Sequence, residues 1–109
     1  MMSNLVADVN DLKLCLEWGQ PAFTIVDVRD RFTYNHGHIT GAISIPVDDL
    51  YARATSSLHQ ERQICVYGET DIQATTAVKI LQAAGFKNVS EIPGGLAAWK
   101  KIGGATEGV

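Results

Sequence analysis

Ile64-Cys65-Val66-Tyr67-Gly68-Glu69-Thr70-Asp71-Ile72-Gln73-Ala74-Thr75-Thr76-Ala77-Val78 changes its hydrophobic period part-way along. Ile64 to Tyr67 is apolar on both alternating faces, the pattern of a strand buried on both sides in a parallel sheet. Ala74, Ala77, Val78 and Leu81 then repeat at helical spacing. Gly68 to Gln73 is therefore a strand-to-helix connection, the usual place for a site in an α/β fold, and it holds no strong nucleophile.

Working outward, the long helix is expected from about Ile72 to Ala84. Gly85 closes it as a left-handed C-cap, with Phe86 folding back towards Leu81. Val89 to Ile92 read as the last strand, Pro93-Gly94-Gly95 as a tight turn, and Leu96 to Ile102 as a final helix with Leu96 and Trp99 inward. Upstream, Leu5 to Ala7 reads as a short first strand. Asp8 or Asn10 caps a helix with inner face Val9, Leu12, Cys15 and Leu16, ended by Gly19 and Pro21. Phe23 to Val26 form a second buried strand, which leaves the core at Asp27. Arg29 to His38 is a polar and aromatic turn and loop. Ala42 to Ile45 make a brief strand stopped by Pro46. Val47 to Tyr51 start a short helix, which Ser56 to Arg62 continue as a helical, polar connector.

This alternation predicts an α/β three-layer sandwich, a small, mainly parallel sheet of about five strands with helices on both faces. The chain reads as one domain over 1–109, with 103–109 expected to fray. Its 46% hydrophobic and 19% charged composition is that of an ordinary globular protein that needs no metal or disulfide to fold. A net charge of −3 without a Lys/Arg cluster argues against nucleic acid or an anionic membrane as partner, although Lys100 and Lys101 adjoin. No stretch approaches the roughly 18 apolar residues of a membrane span, so the cytoplasm is the expected location. Cys15 and Cys65 both lie in apolar patterns and read as buried thiols.

Four further blocks carry a resemblance. They are Ile25-Val26-Asp27-Val28-Arg29, Gly37-His38-Ile39-Thr40-Gly41-Ala42-Ile43-Ser44-Ile45-Pro46, Ala83-Ala84-Gly85-Phe86-Lys87-Asn88-Val89 and Gly94-Gly95-Leu96-Ala97-Ala98-Trp99. In this order, over roughly Leu5 to Gly103, the chain resembles the rhodanese-like domain family. The resemblance implies an active-site loop of the form C-x-x-G-x-R, whose cysteine accepts sulfur as a persulfide while backbone amides and an arginine cradle the anion. Aligned by the strand before and the helix after, Gly68 falls on the cysteine, Asp71 on the glycine and Gln73 on the arginine. Loop length is kept and the three key positions differ. His38, matching the Gly-His-Ile block, is expected to brace the loop.

Persulfide formation needs a thiolate, which Gly68 cannot supply. Cys65 stands about 10 Å back inside an apolar strand. Thr70 has no histidine base in its local sequence, and a turn or capping role is commoner for it. Each carboxylate of Glu69 and Asp71 would oppose a bound monoanion by roughly 1 to 3 kcal/mol at about 6 Å. Asp71 also has a plainer use as helix N-cap, with Glu69 solvated. The expected function is a non-catalytic binding or regulatory module, using the degenerate loop Gly68, Glu69, Thr70, Asp71, Ile72, Gln73 and a rim of Asp27, Arg29, His38, Gly94 and Gly95. Its partner is an unknown protein or small molecule, with no metal or cofactor.

The alternatives are a sulfurtransferase-type enzyme with an atypical nucleophile or another rim reaction using Asp27, Glu69 or Asp71, and a domain cut from a larger protein. Asp27 and Arg29 read first as a structural ion pair, and His36 and His59 as surface residues. Trp18, Trp99, Phe86 and Leu81 read as packing residues. Phe32 and Tyr34, if exposed, are candidate partner anchors.

Overall fold

The computed structural model of the chain describes residues 23–108. The expected first strand and helix, with Cys15 and Trp18, lie outside them. Four parallel strands form the sheet: β1 (Phe23–Asp27), β3 (Ile43–Ser44), β4 (Gln63–Tyr67) and β5 (Asn88–Glu91), in spatial order β3-β1-β4-β5. Helices α1 (Arg31–His36), α2 (Leu50–Ser57), α3 (Asp71–Ala83) and α4 (Gly95–Lys101) connect or follow them, with a 3₁₀ turn at Val47–Asp49 leading into α2. Four strands of the expected five or so are thus present among the described residues.

The side-chain period of two sorts each strand between two cores. Val26, Ile64, Val66 and Val89 face one cluster, which takes Leu50 and Ala54 from α2 and Ala77, Val78 and Leu81 from α3. Ile25, Cys65 and Tyr67 face the other, closed by Trp99 of α4 and Ile39. Helices therefore cover both faces, giving the three-layer α/β sandwich. Val66 and Tyr67 are both fully buried, as strand burial on two sides requires.

Three local expectations need correcting. Asp27 does not leave the core: it closes β1 in register with Tyr67 and is fully buried, because Arg29 folds back to pair with it. The connector after α2 is a turn rather than a helix, since Leu58 is already extended and its amide caps Ala54 O at 2.9 Å. Residues 103–109 were expected to fray, yet Thr106–Glu107 form β6 and pair antiparallel with β2 (His38–Ile39). The indole Nε1 of Trp99 donates to Ala105 O at 2.8 Å, which tethers this segment to α4. The α3 stop is as read: Gly85 takes φ 98° and Phe86 N donates to Leu81 O at 3.0 Å.

Candidate functional site

From β1 the chain moves to β3 on one side and then returns to β4 on the other. That reversal leaves a crevice outside the carboxyl ends of β1 and β4, where the loops diverge. A pocket of about 190 Å³ opens there, lined by Arg29, Gly68, Glu69, Gly94, Leu96 and Ala97. The rim residues Arg29 and Gly94 therefore do meet the Gly68 loop.

One wall is a closed ion pair. The Arg29 guanidinium donates from Nη2 to Asp27 Oδ2 at 2.6 Å and from Nε to Oδ1 at 3.0 Å, while Arg29 N also donates to Oδ1 at 2.9 Å. Nη2 further donates to Gly37 O at 2.6 Å, fixing the turn before β2. The guanidinium lies 5.4 Å from the centroid of the Tyr67 ring, whose hydroxyl accepts from Ile39 N at 3.1 Å. Burial works against the charged form of Arg29, but the hydrogen bonds and charge of Asp27 outweigh it and leave its pKa raised. Burial, reinforced by the charge of Asp27, also pushes the Tyr67 phenol well above its usual range.

The opposite wall is the Gly68 to Gln73 loop. Thr70, not Asp71, is the N-cap of α3: its extended backbone lets Oγ1 accept from Gln73 N at 3.2 Å. Asp71 is instead the first helical residue, and its Oδ1 accepts from Gly94 N at 3.0 Å. This bond ties the loop to the turn before α4. Gly95 holds φ 54°, and a Cβ there would lie 3.2 Å from Gly68 O, so the absence of a side chain lets the two loops touch.

The space that a side chain at 68 would use is taken. Gln73 Oε1 accepts from Glu69 N at 2.7 Å, and a Cβ built on Gly68 would meet that same oxygen at 2.5 Å. Gln73 thus acts as an internal stopper, satisfying one loop amide with its own carbonyl. Glu69 and Ile72 are exposed, and Asp71 is exposed while its Oδ1 holds Gly94 N. Cys65 is fully buried within β4 on the side of Trp99.

His38 lies away from the pocket-lining set. Its Nδ1 pairs with Tyr34 O at 2.8 Å, its ring stacks on Tyr34 at 3.7 Å, and Nε2 approaches Glu107 Oε1 at 3.4 Å. It braces α1 and β6. His36 and His59 are exposed, and His36 bonds Phe32 O within α1. Among the described residues no three His, Cys, Asp or Glu side chains gather as a metal site. No described helix is long and apolar enough to cross a membrane. Gln73 as stopper was missed in the sequence, because only the fold reveals which amide a glutamine reaches.

Residues 8–102 match the rhodanese-like domain family. The Alr3790 protein from Anabaena sp. has a crystal structure that superposes with a TM-score of 0.92 at 60% identity, covering 94% of this chain and 92% of that one. An NMR structure of the rhodanese-like domain of that Anabaena protein superposes at 0.93 with 58% identity, over 99% of this chain and 81% of that one. The chain belongs to the rhodanese-like domain family.

Among curated relatives, thiosulfate sulfurtransferase GlpE of Shewanella oneidensis is 33% identical over 75 residues, which is 69% of this chain and 73% of that protein. An HTH-type transcriptional regulator of Mycobacterium tuberculosis is 38% identical over 82 residues, 73% of this chain. The chain spans 35% of that regulator's length and 25% of a probable molybdopterin-synthase adenylyltransferase of Porphyra purpurea.

Proposed function

We propose that this rhodanese-like domain is a binding or regulatory module without sulfurtransferase activity, working through the rim around Gly68 to Gln73. The observation that carries the reading is the competition at position 68. A nucleophilic side chain there and the present Gln73 conformation require the same volume, and the loop already satisfies its Glu69 amide internally. The described thiol, Cys65, is fully buried in the sheet, out of reach of a dissolved sulfur donor. The Arg29 guanidinium, which lines the pocket, has its Nε and Nη2 engaged with Asp27 and Gly37.

The likeness to GlpE favours a second reading, an enzyme of sulfurtransferase type with an atypical thiol. The chain is offered thiosulfate, then 3-mercaptopyruvate, each with cyanide as acceptor. Thiocyanate at the buffer background is the expected result. Turnover that Cys65→Ala or Cys15→Ala abolishes would establish the enzyme instead.

A further inference from the structure

Charge is distributed unevenly along the strand axis. In a parallel sheet with returning helices, the segments that leave the carboxyl ends of the strands share one rim. Beyond the internally paired Asp27 and Arg29, the described rim carries Asp30, Asp48, Asp49, Glu69, Asp71 and Glu91, opposed by Arg31. Arg53 also reaches this rim, its Nη1 donating to Ser44 O at the end of β3 at 3.2 Å, whereas Lys79, Lys100 and Lys101 stand further along the helices and Arg62 and Lys87 precede the amino ends of β4 and β5. Helix N-termini explain Asp30, Asp48, Asp49 and Asp71, because carboxylates there complement the dipole. They do not explain Glu69, exposed in the loop, whereas Glu91, at the end of β5, accepts from Thr75 Oγ1 of α3 at 2.8 Å.

The same rim exposes apolar surface that the fold does not use. Phe32 is 72% and Ile72 80% exposed. They stand in the first turns of α1 and α3, which follow the neighbouring strands β1 and β4. Helix α1 buries none of its residues, and the Phe32 ring packs 4.3 Å from His36 in solvent. Leu96 and Ala97 add apolar surface to the pocket on this rim.

We propose that the rim docks a basic, partly apolar segment of a protein partner, one in which Lys or Arg alternates with large apolar side chains. The inference rests on the binding-module reading and names the chemistry of its partner. The apolar side chains cover Phe32 and Ile72, and the cations face Glu69, Asp71 and Asp30. Buried apolar anchors supply most of the affinity in such contacts, whereas peripheral charge sets approach and selectivity. The same carboxylates repel an acidic or phosphorylated segment.

Amide-resolved NMR of the intact chain tests this with two probes, acetyl-Lys-Phe-Lys-Leu-Lys-amide and acetyl-Glu-Phe-Glu-Leu-Glu-amide. The basic peptide is expected to shift amides in 30–34, 68–73 and 94–97, and to bind about tenfold more tightly than the acidic one. Raising salt from about 0.05 to 0.5 M should weaken it about fivefold, as screening requires. Glu69→Lys, or Phe32→Ser together with Ile72→Ser, should do likewise with the dispersed spectrum retained, since these side chains are exposed. Equal affinity for both peptides, shifts confined to other regions, or no shifts at about 1 mM peptide overturns the proposal. Preference for the acidic peptide at the same amides overturns the charge assignment while the module reading stands. Thiocyanate turnover removes the module reading whichever peptide binds.

Discussion

The connections after β1 and β4 leave neighbouring parallel strands at the same end of the sheet, yet they handle charge in opposite ways. After β1, Asp27 and Arg29 are buried and paired, with Arg29 Nε and Nη2 spent on Asp27 and Gly37 O. After β4, Glu69 and Asp71 remain in solvent while an uncharged glutamine takes the inward position. The first arrangement holds the crevice in shape, and the second decides what can approach it. Resemblance in sequence was clearer for the first, since Asp27 and Arg29 stand within one of the blocks that carry it.

The largest effect that this contrast predicts lies on the buried side. Asp27→Ala leaves Arg29 charged with no carboxylate, and should lower unfolding free energy by about 3–5 kcal/mol. Glu69→Ala should stay within about 0.5 kcal/mol, as exposed substitutions do. Urea denaturation of both variants measures the difference, and comparable losses would break the comparison.

A pH titration sharpens it. The Tyr67 phenol is raised in the folded chain, so its contribution is fully present below the unfolded value of about 10 and is lost as pH climbs towards the folded value. Above about pH 10 the unfolded chain ionises first, and stability should fall by up to about 1.4 kcal/mol per pH unit from this group. Tyr67→Phe should remove that component of the slope. It also leaves Ile39 N without its acceptor, for a loss of about 1–3 kcal/mol at neutral pH. An alkaline slope identical in both proteins would mean that burial and the Asp27 charge do not hold the Tyr67 phenol protonated in the folded chain.

A smaller effect than either buried-side change concerns the stopper. Gly68→Ala drives a methyl into Gln73 Oε1, and the flexible side chain must give up Glu69 N, at about 1 kcal/mol. In a Gln73→Ala background the same substitution should cost less, with a coupling of at least about 0.5 kcal/mol in a double-mutant cycle. Strict additivity would show that the two positions do not share space.

Much of this molecule was legible before folding was considered. The two-sided apolar run at Ile64 to Tyr67 and the helical repeat through Leu81 gave β4 and α3, because buried strands and amphipathic helices write their periods into the chain. Gly85 marked the end of α3, since few other residues accept its backbone angle. The β6 pairing was not legible, because a two-residue exposed strand has no pattern of its own and is defined by its neighbour. Nor was the choice between Thr70 and Asp71 as cap: both side chains can cap a helix, and their rotation about the loop selects one.

By itself, then, the amino-acid order determined the layer architecture and the family. Tertiary structure alone decided that Gln73 fills the space beside Gly68, that Asp71 reaches across to Gly94, and that Arg29 pairs with both Asp27 and Gly37 O. Periodicity is a local property set by burial of one face or two. Which donor meets which acceptor across a crevice depends on how distant segments are brought together, and a linear pattern does not carry that distance.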